Sequence, residues 1–181
     1  MSVKKAAVFL DRDGTIIEDR GHLVCESDAV FFPETFTALR QLQDYFLLFI
    51  ITNQPGIAEG VISYNDVKCV NEYVIKTLDE RGIRITDIYV CPHRRSDGCL
   101  CIKPKPYFLN IAASNYALDL RRSFIIGDHP HDIELARNVG AEGIYVLTGH
   151  GQKHLQELPN GTITVAGIMQ AAEKIMASIE E

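Results

Sequence analysis

The feature that most constrains the fold is a short apolar strand that stops at two carboxylates. The strand is predicted over residues 5–10. Asp11 follows it, then Asp13 after one intervening residue, with Gly14 and Thr15 next. An apolar run of this kind predicts a strand buried on both faces of a parallel sheet, and such sheets bind ligands at the carboxyl ends of their strands. Two acids this close repel each other unless a cation lies between them. An isolated pair more often solvates a loop or caps a helix, so its meaning depends on the motifs further along the chain.

Strand and helix patterns alternate along the rest of the chain. Further strands are predicted at 46–51, 85–90, 123–126 and 144–147, with an edge strand at 163–165. Helices are predicted at 33–44, 63–81, 106–118, 131–139 and 167–179. This alternation is typical of a doubly wound α/β protein, in which helices cover both faces of a parallel sheet. The sequence contains no linker, so we expect residues 1–181 to form a single domain.

Charge and hydropathy exclude several classes of function. The net charge is −6, which argues against a nucleic-acid binder because such proteins present a basic face. No segment approaches the ~20 apolar residues of a membrane span. The apolar stretch near the start is also too short for a signal peptide. We therefore expect a cytoplasmic monomer that acts on a small molecule, without nucleic-acid or membrane partners.

A second acidic pair follows the fourth predicted strand. Asp128 comes at the end of that strand, and Asp132 lies one helical turn further on. Asp128 could approach Asp11 and complete a set of oxygen ligands that suits Mg²⁺. Capping of the next helix explains Asp128 equally well. His129 and His131 are interpreted as loop and helix-start residues, because an oxygen-rich magnesium site does not use imidazole.

Two other positions suit the binding of phosphate. Thr52 and Asn53 follow the second buried strand in a predicted turn, where a hydroxyl and backbone N–H groups can hold phosphate oxygens. An ordinary turn would explain these residues as well. Lys103 precedes a proline-rich stretch and could direct a compact positive charge at a phosphate. The alternative is a solvated lysine.

A cysteine-rich loop follows the third predicted strand. Within eleven residues it contains three thiols and one imidazole, from Cys91, His93, Cys99 and Cys101. Together they form the closed tetrahedral set of a structural zinc site, so we predict that Zn²⁺ staples this loop. Incidental cysteines and a local disulfide are the alternatives, and a disulfide framework is not expected in a cytoplasmic protein.

Taken together, these motifs resemble the haloacid dehalogenase (HAD) superfamily of phosphotransferases. The matching residues are, in chain order, Asp11 with Asp13, Thr52, Lys103, and Asp128 with Asp132. The resemblance covers most of the chain. Within the superfamily, the Cys₃His loop beside Lys103 is similar to that of the D-glycero-D-manno-heptose-1,7-bisphosphate 7-phosphatases and the related histidinol-phosphate phosphatases.

The resemblance implies roles for these residues. Asp11 would be the nucleophile that becomes an aspartyl phosphate, and Asp13 would be the general acid and base. Thr52 and Lys103 would stabilise the transferring phosphoryl group. Mg²⁺ would be held by the Asp11 carboxylate, the Asp13 backbone carbonyl and Asp128, with Asp132 orienting the site. The expected substrate contacts are Arg12, Asp19, His22, Asn53 and Gln54.

The resemblance also implies a Rossmann-like fold, and the chain departs from the family at two positions. Residues 15–32 and 56–90 are too short for a large cap domain, so short loops should cover the site. Ile102 and Glu59 stand where the family typically has Arg, and the loss of a guanidinium removes a bidentate contact to an anion. We expect a phosphorylated sugar as substrate, such as heptose 1,7-bisphosphate, in preference to histidinol phosphate.

Two other classes of function fit parts of the pattern. A phospho-acceptor switch also uses a doubly wound sheet with acids, a hydroxyl residue and a lysine around Mg²⁺. Asp13 argues against a switch, because a base beside the nucleophile would shorten the life of the phosphoprotein. A zinc-stapled interaction module without catalysis is the third interpretation, and Ile102 is the residue that suggests it.

Overall fold

The computed structural model describes residues 5–180. Within these residues, six strands form one parallel sheet. These are β1 Ala7–Leu10, β2 Leu47–Asn53, β3 Ile85–Cys91, β4 Phe124–Gly127, β5 Glu142–Val146 and β6 Ile163–Val165. Their order is β3-β2-β1-β4-β5-β6. The central strand β1 pairs through Leu10 with Ile50 of β2 on one side and with Ile126 of β4 on the other. The predicted doubly wound α/β fold is therefore confirmed.

Helices connect consecutive strands from β1 to β5, and a last helix follows β6. They are α1 Thr35–Gln43, α2 Gly56–Glu59, α3 Tyr64–Asp79, α4 Tyr107–Tyr116, α5 Pro130–Val139 and α6 Ile168–Glu180. All but the single turn α2 were predicted, with ends that differ by a few residues. The prediction of a turn at Thr52 and Asn53 was wrong, because both residues pair with β3 and extend β2 to its last residue.

The alternation of side chains along the central strands divides the core into two layers. Val8 and Leu10 point to one face, which α1, α3 and α6 cover. Ala7 and Phe9 point to the other face, which α4 and α5 cover. All four side chains are completely buried. Burial on both faces explains why the first strand has no polar residue until it reaches the carboxylates.

Local hydrogen bonds fix the ends of α3. The Ser63 hydroxyl accepts from the Asp66 backbone N–H at 3.1 Å, and the Asp66 carboxylate accepts from the Ser63 backbone N–H at 2.7 Å. This capping box satisfies two N–H groups that the helix leaves unpaired. After the helix ends, Gly82 takes a positive φ of 71°, which glycine tolerates without strain. The predicted start and stop signals of this helix are confirmed.

Short loops cover the edge of the sheet formed by the carboxyl ends of the strands. Residues 11–34 contain a 3₁₀ turn at Glu26–Asp28 and isolated bridges, and residues 54–63 contain the short α2. No large cap domain is inserted in either segment, as predicted. Within residues 5–180, no helix has the length and apolar character needed to cross a membrane.

Candidate active site

A cavity of about 480 Å³ lies at the carboxyl ends of β1, β2 and β4. It is lined by these predicted site residues: Asp11, Asp13, Asp19, His22, Thr52, Asn53, Gln54, Lys103 and Asp128. A larger cavity of about 720 Å³ lies at the opposite end of the sheet, beside Lys5, Phe46 and Phe124. Doubly wound sheets bind their ligands at the carboxyl ends of the strands, so the smaller cavity is the candidate active site.

Lys103 connects the two acidic motifs at the floor of this cavity. Its ammonium donates to Asp11 Oδ1 at 2.5 Å and to Asp132 Oδ1 at 2.7 Å. Burial alone would lower the pKa of Lys103, but the charges of Asp11 and Asp132 raise it above its ordinary value. The residue is therefore a fixed positive charge within reach of the first carboxylate.

The backbone of Lys103 is held by the end of β2. Its N–H donates to Asn53 Oδ1 at 3.2 Å, and Asn53 itself pairs with Cys91 at the end of β3. The next residue, Gln54, donates its backbone N–H to the Cys91 carbonyl at 2.7 Å. The end of β2 thus contacts Lys103 through Asn53, and it is bonded to β3 at Cys91, one of the predicted zinc ligands.

The Asp13 carboxylate is surrounded by hydrogen-bond donors. Its Oδ2 accepts from Gln54 Nε2 at 2.9 Å and from Thr52 Oγ1 at 3.3 Å. The Arg12 guanidinium donates to both carboxylate oxygens at 2.9 to 3.1 Å. These contacts fix the orientation of Asp13 toward the cavity.

Arg12 does not line the cavity, although it was predicted to contact substrate. Its side chain is only 1% exposed and runs beneath Asp13. At the far end, its other terminal nitrogen donates to Asn71 Oδ1 of α3 at 2.6 Å. The geometry favours a positioning role, because the guanidinium is occupied by Asp13 and Asn71 and is closed off from the solvent.

Three carboxylates from the two acidic motifs come together beside Lys103. Asp11, Asp128 and Asp132 each have an oxygen within 4.8 Å of the others. Burial raises the pKa of Asp128 to about 6, and burial also raises the pKa of Asp11 well above its usual range. A hard cation would restore the charged forms of such buried acids. The residues therefore fit Mg²⁺.

Asp11 and Asp128 are the carboxylates best able to hold that cation. The Asp132 carboxylate is already engaged, since one oxygen accepts from Lys103 and the other from the His129 backbone N–H at 3.2 Å. Asp128 has one oxygen bonded to the His150 backbone N–H at 2.7 Å. This division agrees with the predicted orienting role of Asp132.

Two glycines make room for the Asp128 carboxylate. Gly14 has a φ of 82° and Gly149 a φ of 54°, and a Cβ built on either residue would collide with Asp128 Oδ2. Gly14, which follows the two acids after β1, is therefore needed both for its backbone conformation and for its lack of a side chain.

The four predicted zinc ligands converge. The Sγ atoms of Cys91, Cys99 and Cys101 lie 3.2 to 3.7 Å apart, and His93 Nδ1 lies 3.3 Å from Cys101 Sγ and 3.8 Å from Cys91 Sγ. Tetrahedral zinc with Zn–S bonds of about 2.3 Å places its sulfur ligands about 3.8 Å apart. The cluster therefore has the chemistry and the dimensions of a closed zinc site.

Asp19 and His22 reach the cavity from the loop that follows β1. His22 packs against Gly56 at the start of α2, where a Cβ would collide with its imidazole. Asp19 accepts from the Gly21 backbone N–H at 2.9 Å, and its other oxygen lies 3.3 Å from His150 Nδ1. These contacts place both predicted residues at the mouth of the cavity.

Other residues also line the cavity, and four of them have nitrogen-bearing side chains that were not predicted to act there. Arg95 and His150 were missed, and His129 and His131 were interpreted as structural. Arg95 donates from one terminal nitrogen to His131 Nδ1 and to the Lys103 carbonyl, both at 3.3 Å. No local sequence signal could have found this group, because it forms only where the start of α5 packs against the cysteine-rich loop.

The imidazoles of His129 and His131 form a parallel stack. Their ring centroids are 4.3 Å apart and the planes differ by 4°. Burial lowers the pKa of His129 to about 4 and also lowers the pKa of His131 below its ordinary value. Both rings are therefore neutral near pH 7, which permits their close contact beside Arg95.

Comparison with proteins of known sequence identifies the family to which this chain is similar. A family model described as HAD-hydrolase-like matches residues 100–171. A probable D-glycero-D-manno-heptose-1,7-bisphosphate 7-phosphatase of Thermoplasma acidophilum is 36% identical over 135 residues, which are 74% of this chain and 84% of that protein. The D-glycero-alpha-D-manno-heptose-1,7-bisphosphate 7-phosphatase of Photorhabdus laumondii is 30% identical over 179 residues, which are 92% of this chain and 98% of that protein.

A solved structure extends the similarity to three dimensions. The D,D-heptose 1,7-bisphosphate phosphatase from B. bronchiseptica, complexed with magnesium and phosphate, matches with a TM-score of 0.87 at 28% sequence identity. The match covers 96% of this chain and 99% of that chain. The two proteins therefore share their architecture from end to end.

Proposed function

Because this chain belongs to the HAD-like phosphatase family and is a phosphoric monoester hydrolase, we propose that it removes phosphate from a phosphorylated sugar, with heptose 1,7-bisphosphate as the first candidate. The observation that carries the proposal is the contact of Lys103 with Asp11 at the floor of the cavity. A carboxylate beside a fixed ammonium can accept a phosphoryl group whose charge the ammonium offsets.

In the first step, Asp11 is the nucleophile. One of its carboxylate oxygens attacks phosphorus, and the bond from phosphorus to the sugar oxygen breaks. The Asp13 carboxyl group gives its proton to that leaving oxygen. Lys103 and Thr52 stabilise the charge on the phosphoryl oxygens. The step yields an aspartyl phosphate at residue 11 and a free sugar hydroxyl.

In the second step, Asp13 acts as a base. Its carboxylate takes a proton from a water molecule, which attacks phosphorus and breaks the bond to Asp11. Inorganic phosphate leaves and the starting carboxylate is regenerated. The hydrogen bonds from Gln54 and Arg12 hold Asp13 in one orientation for both proton transfers.

The proposed metals have separate tasks. Mg²⁺ would neutralise charge on the phosphoryl oxygens and orient the group for in-line transfer. We propose Asp11, Asp128 and the backbone carbonyl of Asp13 as its ligands. Zn²⁺ would be structural and would fix the loop that carries Lys103, with the four ligands Cys91, His93, Cys99 and Cys101.

The substrate and the state of the enzyme complete the proposal. Asp19, His22, Asn53 and Gln54 line the cavity and are the proposed contacts to the sugar. We also propose that residues 1–181 act as a single domain, as a monomer, in the cytoplasm.

A panel of phosphate esters tests the proposal. Release of inorganic phosphate is measured from p-nitrophenyl phosphate, heptose 1,7-bisphosphate and histidinol phosphate, with Mg²⁺ and with a chelator. We expect every ester that is hydrolysed to require Mg²⁺ for turnover. The highest kcat/KM should be that for heptose 1,7-bisphosphate. Faster turnover of histidinol phosphate would overturn the sugar assignment, and no turnover of any ester would overturn the phosphatase assignment.

A further inference from the structure

Arg95 is a cation of the cavity that has no carboxylate partner among residues 5–180. Among the described residues, Arg95 and Lys103 are the only lysine or arginine side chains that line the cavity. Lys103 is neutralised by Asp11 and Asp132, whereas Arg95 forms no ion pair within residues 5–180. Its hydrogen bonds use one terminal nitrogen, which leaves two nitrogens of the guanidinium available to a ligand.

The neighbouring imidazoles have a defined donor pattern. Arg95 can only donate, so His131 Nδ1 accepts its hydrogen bond and the ring proton lies on Nε2. His129 Nδ1 accepts from the His131 backbone N–H at 3.3 Å, so its ring proton also lies on Nε2. Both rings line the cavity. The wall beside Arg95 therefore offers two imidazole N–H donors.

We propose that Arg95, assisted by His129 and His131, binds a second anionic group of the substrate, separate from the phosphate that is hydrolysed. This inference rests on the proposed function and assigns the substrate class more closely: a sugar ester with a further phosphate or carboxylate. A planar guanidinium with two available N–H edges suits either group, because both present paired oxygens.

The spacing of Lys103 and Arg95 determines where the second anionic group of the substrate lies. The backbone carbonyl of Lys103 accepts from Arg95, while its ammonium donates to Asp11. The separation between the Lys103 ammonium and the Arg95 guanidinium is thus at most the length of one lysine residue plus one hydrogen bond. A sugar-sized substrate can span this separation with one anionic group at each end.

The chain contains a matched control in Arg94. This neighbour of Arg95 is 53% exposed, pairs with Asp97 at 3.1 Å and does not line the cavity. Arg94→Met and Arg95→Met therefore remove the same charge from the same loop, and only the second variant alters the proposed anion contact.

The test compares ligands that share a C6 phosphate and differ at C1. Glucose 6-phosphate, 6-phosphogluconate and glucose 1,6-bisphosphate carry a hydroxyl, a carboxylate and a phosphate at C1. Their inhibition constants are measured against hydrolysis of p-nitrophenyl phosphate, which has no second anionic group. We expect the wild type to prefer the doubly anionic ligands about tenfold, as one charge-assisted contact permits. Arg95→Met should lose this preference and Arg94→Met should keep it.

The outcomes separate this inference from the proposed function. A wild type without preference, or an Arg95→Met variant that keeps it, overturns the inference while leaving phosphatase activity in place. A lower kcat for p-nitrophenyl phosphate in Arg95→Met with the preference unchanged also overturns it, because Arg95 would then act only by supporting Lys103. If the wild type hydrolyses no ester, the proposed function fails. The preference for doubly anionic ligands is then measured by calorimetry, as a ratio of dissociation constants. Whichever C1 group binds more tightly identifies the anion.

Discussion

The Arg12 guanidinium lies against the Asp13 carboxylate and donates to both of its oxygens. The pair is supported from below by Asn71 of α3, which accepts from Arg12 at 2.6 Å. A buried cation with fixed partners at both ends restricts the rotation of the side chain that is proposed to move protons. The orientation of Asp13 therefore depends on a residue outside the cavity.

Replacing Asn71 should impair proton transfer. Asn71→Ala leaves one end of Arg12 without its acceptor, so Asp13 becomes less ordered and kcat should fall about tenfold with KM nearly unchanged. The loss should be larger for a sugar phosphate than for p-nitrophenyl phosphate, whose leaving oxygen needs less help from an acid. Glu72→Gln, at the exposed next position of the same helix, is the control. Equal losses with both substrates would show that Asn71 only stabilises the fold.

Gly14 should be intolerant of even the smallest side chain. In Gly14→Ala the Cβ would collide with the Asp128 carboxylate, so the Mg²⁺ concentration for half-maximal activity should rise at least about tenfold. The control is Gly82→Ala, which has a similar positive φ but nothing within 4 Å of its Cβ. That variant should lose about 1 kcal/mol of stability and keep its Mg²⁺ requirement. An unchanged Mg²⁺ requirement in Gly14→Ala would contradict the proposed role of Asp128.

Loss of a zinc ligand should reduce stability and activity together. Cys99→Ser opens the loop that carries Lys103, and we expect a loss of at least about 3 kcal/mol in the free energy of unfolding. Elemental analysis should find about one zinc per wild-type chain. Cys25→Ser changes an exposed cysteine outside the loop and should leave both properties unchanged. The prediction of a structural zinc site would be refuted if the wild type contained no zinc and Cys99→Ser had unchanged stability and activity.

Sequence patterns predicted most of the fold because its determinants are local. The apolar strands, the capping box of Ser63 with Asp66, and the glycine after α3 all signal structure within a few residues. The single-turn helix α2 and the end of β2 were the exceptions. Thr52 and Asn53 have turn-like neighbours, but their pairing with β3 continues the strand, and a contact between distant segments is not encoded locally.

The same distinction between local sequence signals and long-range contacts holds for the candidate active site. Asp11, Lys103 and Asp128 were predictable because each follows a strand or a metal loop at the same edge of the sheet. Arg12 was predicted to contact substrate, yet its guanidinium lies beneath the cavity, bonded to Asp13 and to the distant Asn71. Arg95 was missed because its contact with His131 joins residues 36 positions apart, one in the cysteine-rich loop and one at the start of α5.

The most direct test of the central claim, that Asp11 is the nucleophile, is the Mg²⁺-dependent turnover of p-nitrophenyl phosphate by Asp11→Asn. The amide has nearly the same shape as the carboxylate but cannot form an aspartyl phosphate, so the rate should fall by at least about 10⁴. The melting temperature, measured alongside, should change by only a few degrees, because burying the neutral amide costs no more than burying the charged carboxylate. Turnover at a rate close to that of the wild type would contradict the assignment of Asp11 as the nucleophile.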